Sequence, residues 1–142
     1  MLTSDLLSVL VKKFDHPDDE IREQSSLAVV QVCSTALGRE HILVKKHIPS
    51  IIKLINDKVE AIRLNSYNSL LNLTETVTER QAVLETNLVE QLVDKLLEEK
   101  VPRILLKTLK MLNQLLYGEG GTEQALKTEC IKRLLGLLNH QS

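Results

Sequence analysis

The chain has 142 residues, enough for a single domain that buries about two-thirds of the surface its unfolded form exposes. Apolar residues make up 43% of it and aromatic ones only 2%, so leucine, isoleucine and valine must build the core. Lys+Arg number 18 and Asp+Glu 19, for a net charge of −1, which excludes the overall basic excess of most nucleic-acid binders, and no apolar run approaches the ~18 residues of a membrane span or forms a signal peptide.

The first predicted helix covers 3–14, with Leu7, Leu10, Val11 and Phe14 at i, i+3, i+4, i+7. A longer helix follows over 18–36. Asp15 and Pro17 open it, the proline sitting where a missing N–H costs nothing. Asp15, Asp18, Asp19 and Glu20 lack the alternating spacing and glycine of a calcium loop, and complement the helix dipole instead. Gly38 is expected to end this helix. Short helices over 39–46 and 48–57 lead to a second long helix over 59–76. Thr78 and Gln81 fit a capping box for a helix over 79–86. Helices over 88–99 and 101–117 come next, then a break at Gly118, Gly120 and Gly121, then helices over 121–128 and 130–139. No segment alternates like a strand. The fold class is all-α.

Residues 21–32 recur as 62–73 and, more loosely, as 104–115, at offsets of 41 and 42. Ile21/Ile62/Ile104, Val29/Leu70/Leu112 and Val32/Leu73/Leu115 are the apolar columns of these long helices. Ser25/Ser66/Thr108 and Ala28/Ser69/Met111 are mostly small, which lets neighbouring helices approach. A fixed period of this size marks stacked helical repeats, which expose long surfaces and do not close around a pocket. One domain, 1–142, then divides into a partial repeat 1–37, full repeats 38–77 and 78–117, and a partial repeat 118–142.

Chemistry-bearing residues are sparse. Cys33 and Cys130 fall on or near apolar columns and read as buried thiols; no CxxC or paired histidine offers zinc four ligands. His16, His41, His47 and His140 have no acid or nucleophile in register, and His47 aligns with Leu88 and Cys130 as a packing residue. Residues 118–122 are glycine-rich but lack the lysine of a phosphate loop. No enzyme, cofactor or metal site is expected.

The three-helix unit resembles the armadillo repeat. Residues 79–87, 48–55 and 62–73 match its first, second and third helices. The resemblance covers nearly the whole chain and implies a right-handed armadillo-like superhelical solenoid of about three repeats. Within the family, residues 85–96 are similar to the armadillo-like proteins of the ciliary radial-spoke head. That implies a cytoplasmic location, and more specifically a structural place in the ciliary axoneme. In such arrays the third helices line a concave groove for an extended peptide. Carried over by column, the groove would comprise Gln24, Leu27, Gln31, Asn65, Asn68, Asn72, Lys107, Lys110 and Gln114. Gln31, Asn72 and Gln114 form a row of amides that can pair with a peptide backbone. The groove tryptophan of the nuclear-import type is absent, which argues against import-signal binding. Arg103, Lys107 and Lys110 make the third unit's groove basic, while Glu20 and Glu23 make the first acidic. Leu6, Leu7 and Leu10 at one end, and Leu134, Leu135 and Leu138 at the other, are the expected end-on interface. The expected function is a non-enzymatic scaffold within a larger complex, with protein partners and neither nucleic acid nor membrane. A peptide-binding transport or signalling adaptor and a spacer that binds only through its ends are the alternatives.

Overall fold

A computed structural model describes residues 4–117. The described residues are helical and contain no strand. In order they are α1 (Ser4–Lys12), continued by a 3-10 turn (Lys13–Asp15), α2 (Asp19–Cys33), α3 (Ala36–Val44), and α4 (Ile48–Lys53), continued by a second 3-10 turn (Leu54–Asn56). Then come α5 (Glu60–Leu73), α6 (Val77–Leu84), α7 (Leu88–Glu98) and α8 (Pro102–Tyr117). The helices expected over 121–128 and 130–139, with Leu134, Leu135, Leu138 and Cys130, lie outside the described residues.

The long helices pack in series, α2 against α5 and α5 against α8. The short helix before each packs on it: α1 on α2, α4 on α5, α7 on α8. α3 bends away from α2 by 114° and lies against α6. One continuous core results, from Leu7 and Phe14 through Ile51, Ile55, Ile62 and Leu70 to Leu92, Ile104 and Leu115. Burying a side chain of this kind contributes about 1.5–3 kcal/mol. The small column does what its size allows. Ser66 Oγ donates to the Ile51 carbonyl of α4 at 2.6 Å, a distance a larger side chain would prevent. Tyr67 of α5 is among the largest fully buried side chains, 1% exposed.

Three expectations about helix ends are corrected. Asp18, not Asp15 or Pro17, caps α2: its Oδ1 accepts from the N–H groups of Glu20 and Ile21 at 2.9 and 3.1 Å. Asp15 instead ends a 3-10 turn one residue before His16. Gly38 does not end α2, which stops at Cys33; it lies inside α3. A glycine is needed there because a Cβ would sit 1.9 Å from the Val32 carbonyl oxygen, where α3 crosses the end of α2. The N-cap of α6 is Thr76, two residues before Thr78; its side chain caps no N–H group, and its hydroxyl bonds the Glu79 carboxylate instead. α3 ends in a Schellman motif: the His47 N–H reaches the Ile42 carbonyl at 3.0 Å and the Lys46 N–H the Leu43 carbonyl at 3.1 Å. Lys46 takes the left-handed position, with φ of 60°.

Candidate functional site

α2, α5 and α8 share a polar face on the side away from α1, α4 and α7. The expected groove residues all lie on these three helices, but in different environments. Gln24, Leu27, Gln31 and Lys110 are exposed. Asn68, Asn72, Lys107 and Gln114 are half-buried, and Asn65 is buried, 8% exposed.

The amides are therefore not a free ladder. Asn65 Nδ2 donates to Ser26 Oγ at 2.9 Å and lies 3.3 Å from the Glu23 carbonyl. Gln114 Nε2 donates to the Leu71 carbonyl and to Thr74 Oγ1, both at 2.8 Å. Asn72 Nδ2 makes a longer contact, 3.5 Å, with the Val30 carbonyl. Each long helix thus ties itself to the one before it. Two opposed polar helix faces must satisfy each other once packing removes water. Asn65 and Gln114 are struts first, and both Nδ2 hydrogens of Asn65 are engaged within the protein. Gln31, in the same column on α2, makes no such bond to another helix among the described residues.

A second set of struts was legible in the repeat but not singled out from the sequence. Arg22 and Arg63 occupy one column, and each clamps the turn before its own helix. Arg22 Nη1 donates to the carbonyls of His16 and Pro17, and Arg63 Nη1 to those of Asp57 and Lys58. Each also reaches the next turn along. Arg22 pairs with Asp57 through Nε and Nη2 at 3.0 and 3.2 Å, and Arg63 with Glu99 at 2.9 and 3.0 Å. Burial alone would raise both carboxyl pKa values. The arginine hydrogen bonds, with the N–H groups of Val59 and Val101, outweigh it and hold both below the ordinary range. Leu105 occupies the same column on α8, where the ladder stops.

Between α5, α6 and α8 lies an open cleft of about 680 Å³. Leu71 of α5 and Thr74 at its C-cap line it, Lys107, Lys110 and Tyr117 stand on α8, and Arg80 comes from α6. Arg80 Nη1 is 3.4 Å from the Thr74 carbonyl, while its Nε is buried without a partner. Lys107 and Lys110 form no ion pair among the described residues. Arg103, expected to share this face as a free charge, is instead bound to Glu60 of α5 at 2.8 Å.

No protein-family model and no curated protein matches the chain. Its fold is similar to the crystal structure of an engineered protein solved by the Northeast Structural Genomics Consortium. The TM-score is 0.77 and the identity 19%, over 94% of this chain and 55% of that one. The chain spans about half the length of that protein, and at this identity the likeness concerns the fold alone.

The outer helices expose what the inner ones bury. Ile21 is 39% exposed, whereas Ile62 and Ile104 in its column are fully covered. Leu6 is 51% exposed, and Leu88 in its column is covered. Leu7, expected at an interface, is core, and Leu10 is half-buried against it, because α1 turns them toward α2. An apolar hollow of about 310 Å³ beside Leu6 is lined by Val32, Leu37 and Gly38.

Among the described residues, no group of three His, Cys, Asp or Glu side chains could hold a metal, and no helix is long and apolar enough to cross a membrane. Cys33 is buried, which pushes its thiol pKa up to about 12, far from the range of a nucleophile. Burial and the charge of Lys45 lower the pKa of His47. Its Nε2 is buried without a partner, consistent with a neutral packing residue.

Proposed function

We propose that this chain is a non-enzymatic protein-interaction scaffold. It would be an armadillo-like right-handed solenoid of about three repeats that carries a partner's extended segment along the α2–α5–α8 face. The observation that carries the reading is the series packing of α2, α5 and α8, with one polar face left open and braced from within by Asn65 and Gln114. A braced face loses little entropy when a segment is laid on it, which favours binding. The resemblance of residues 85–96 to radial-spoke-head proteins points to an axonemal assembly as the setting.

A second reading has its own observation. Ile21 and Leu6 are exposed where Ile62, Ile104 and Leu88 in their columns are covered, which suits docking through the end and a role as spacer. Site-specific photo-crosslinking separates the two. A benzophenone side chain at position 68 or 110 should capture the partner, and one at position 6 or 9 should not. Capture only at positions 6 and 9 would overturn the face-binding reading in favour of the spacer.

A further inference from the structure

We propose that the cleft between α5, α6 and α8 seats an acidic side chain of the bound segment, so that the segment carries an aspartate or glutamate where it crosses α8. This rests on the reading of the α2–α5–α8 face as a binding surface and names the chemistry of its occupant.

In the two lysine columns, positive charge is confined to α8. The column of Lys107 holds Gln24 on α2 and Asn65 on α5; the column of Lys110 holds Leu27 and Asn68. A solvated helix face would place charge on any of the three helices, yet both lysines stand on α8, where they line the cleft. α8 is also unbalanced. Arg103, Lys107 and Lys110 follow at i, i+4 and i+7, each repelling its neighbour, and the helix holds no acidic residue. Arg103 has an answer in Glu60, an acid from the preceding long helix. Lys107 and Lys110 have none among the described residues. An incoming carboxylate meets both ammonium groups at once and relieves their repulsion.

The opposite wall adds a donor. Arg80 of α6 also lines the cleft and adds a third cation to it, its Nη1 3.4 Å from the Thr74 carbonyl. Glu75 also lines the cleft and sets a limit. It repels a second acid, so the segment's charge belongs on the lysine side and a neutral or basic residue belongs over Glu75. Glu20 and Glu23 interrupt the cationic surface further along the same face. A polyanion with a charge at every step meets those acids, whereas a peptide with one well-placed carboxylate avoids them. The occupant that fits is an acidic peptide segment.

The test is a titration of the ¹⁵N-labelled full chain with three probes. These are a short serine–glycine peptide with one central glutamate, its counterpart with glutamine at that position, and an oligothymidylate of equal length. The glutamate peptide should shift the backbone amides of Arg80, Lys107, Lys110 and Gln114. Raising salt from about 50 to about 500 mM should weaken it about tenfold. Lys107→Asn with Lys110→Asn, which restores the residues α5 carries in these columns, should also weaken it about tenfold. If the glutamine peptide shifts the same amides equally, the charge proposal is overturned while the binding face stands. Shifts from neither peptide overturn the proposal, and the crosslinking experiment then judges the face by itself. Tighter binding of the oligothymidylate overturns the choice of a peptide. Should the double variant fail to fold, the salt dependence and the glutamate–glutamine comparison on the wild-type chain decide.

Discussion

Glu99→Gln tests the arginine struts. The Glu99 carboxylate accepts from Arg63 at 2.9 and 3.0 Å and from the Val101 N–H at 3.2 Å. The two side chains are 6% and 17% exposed, so water replaces little of what is lost. Glutamine keeps the volume and one acceptor oxygen but turns an NH₂ toward a guanidinium, donor against donor, and leaves Arg63 without its counter-charge. Breaking a pair this buried by neutralising one partner costs about 3 kcal/mol. The exposed pair Arg103–Glu60, with side chains 61% and 42% exposed, provides the contrast; Glu60→Gln should cost under about 1 kcal/mol. Urea unfolding followed by helical circular dichroism measures both. A double-mutant cycle with Arg63→Met should return a coupling of at least about 2 kcal/mol. The pH dependence provides a second check. Because the folded state depresses the Glu99 pKa, its contribution is full above the unfolded carboxylate value and is lost as pH falls through the folded one. The gap between wild type and Glu99→Gln should therefore close below about pH 4. A gap under about 0.5 kcal/mol at neutral pH, or one unchanged in acid, would refute the argument.

Gln114→Ala should cost about 1–2 kcal/mol in the same urea assay, since it removes two inter-helix bonds; a neutral result would mean that the amide is free for a partner. Gly38→Ala should destabilise by about 3 kcal/mol or more, because its Cβ meets the Val32 backbone oxygen at 1.9 Å, and an unchanged melting temperature would show that α3 can shift away. Lys46→Gly should stabilise by about 0.5–1 kcal/mol by relieving a left-handed lysine at φ of 60°, to be read as a rise in urea midpoint. Cys33 should resist iodoacetamide in native buffer and react in guanidinium, with peptide mass spectrometry as the readout; labelling of the folded chain would show that α2 opens locally.

Much of the fold is written in local periodicity. Spacing of i, i+3, i+4 and i+7 places the short helices, and the 41- and 42-residue offsets align the long ones in register. A helix forms by bonds to its own fourth neighbour, so its extent is a local property. Its end is less so. The identity of Asp18 as cap, and the need for glycine at position 38, depend on how the chain turns and on what crosses it. The candidate site divides the same way. That Asn65, Asn72 and Gln114 share a polar face follows from the repeat. That Asn65 and Gln114 are used up as struts follows from which helix lies opposite, and the facing carbonyls of Glu23 and Leu71 belong to residues about forty positions away. The Arg22–Asp57 and Arg63–Glu99 pairs were legible as two aligned columns, one of arginines and one of acids, but their pairing needs the stacking distance between units. The basic cleft is the clearest case. Lys107 and Lys110 are visible on their helix, while Arg80 sits in another helix far back in the chain. Only the fold brings this α6 residue to the cleft that α5 and α8 line.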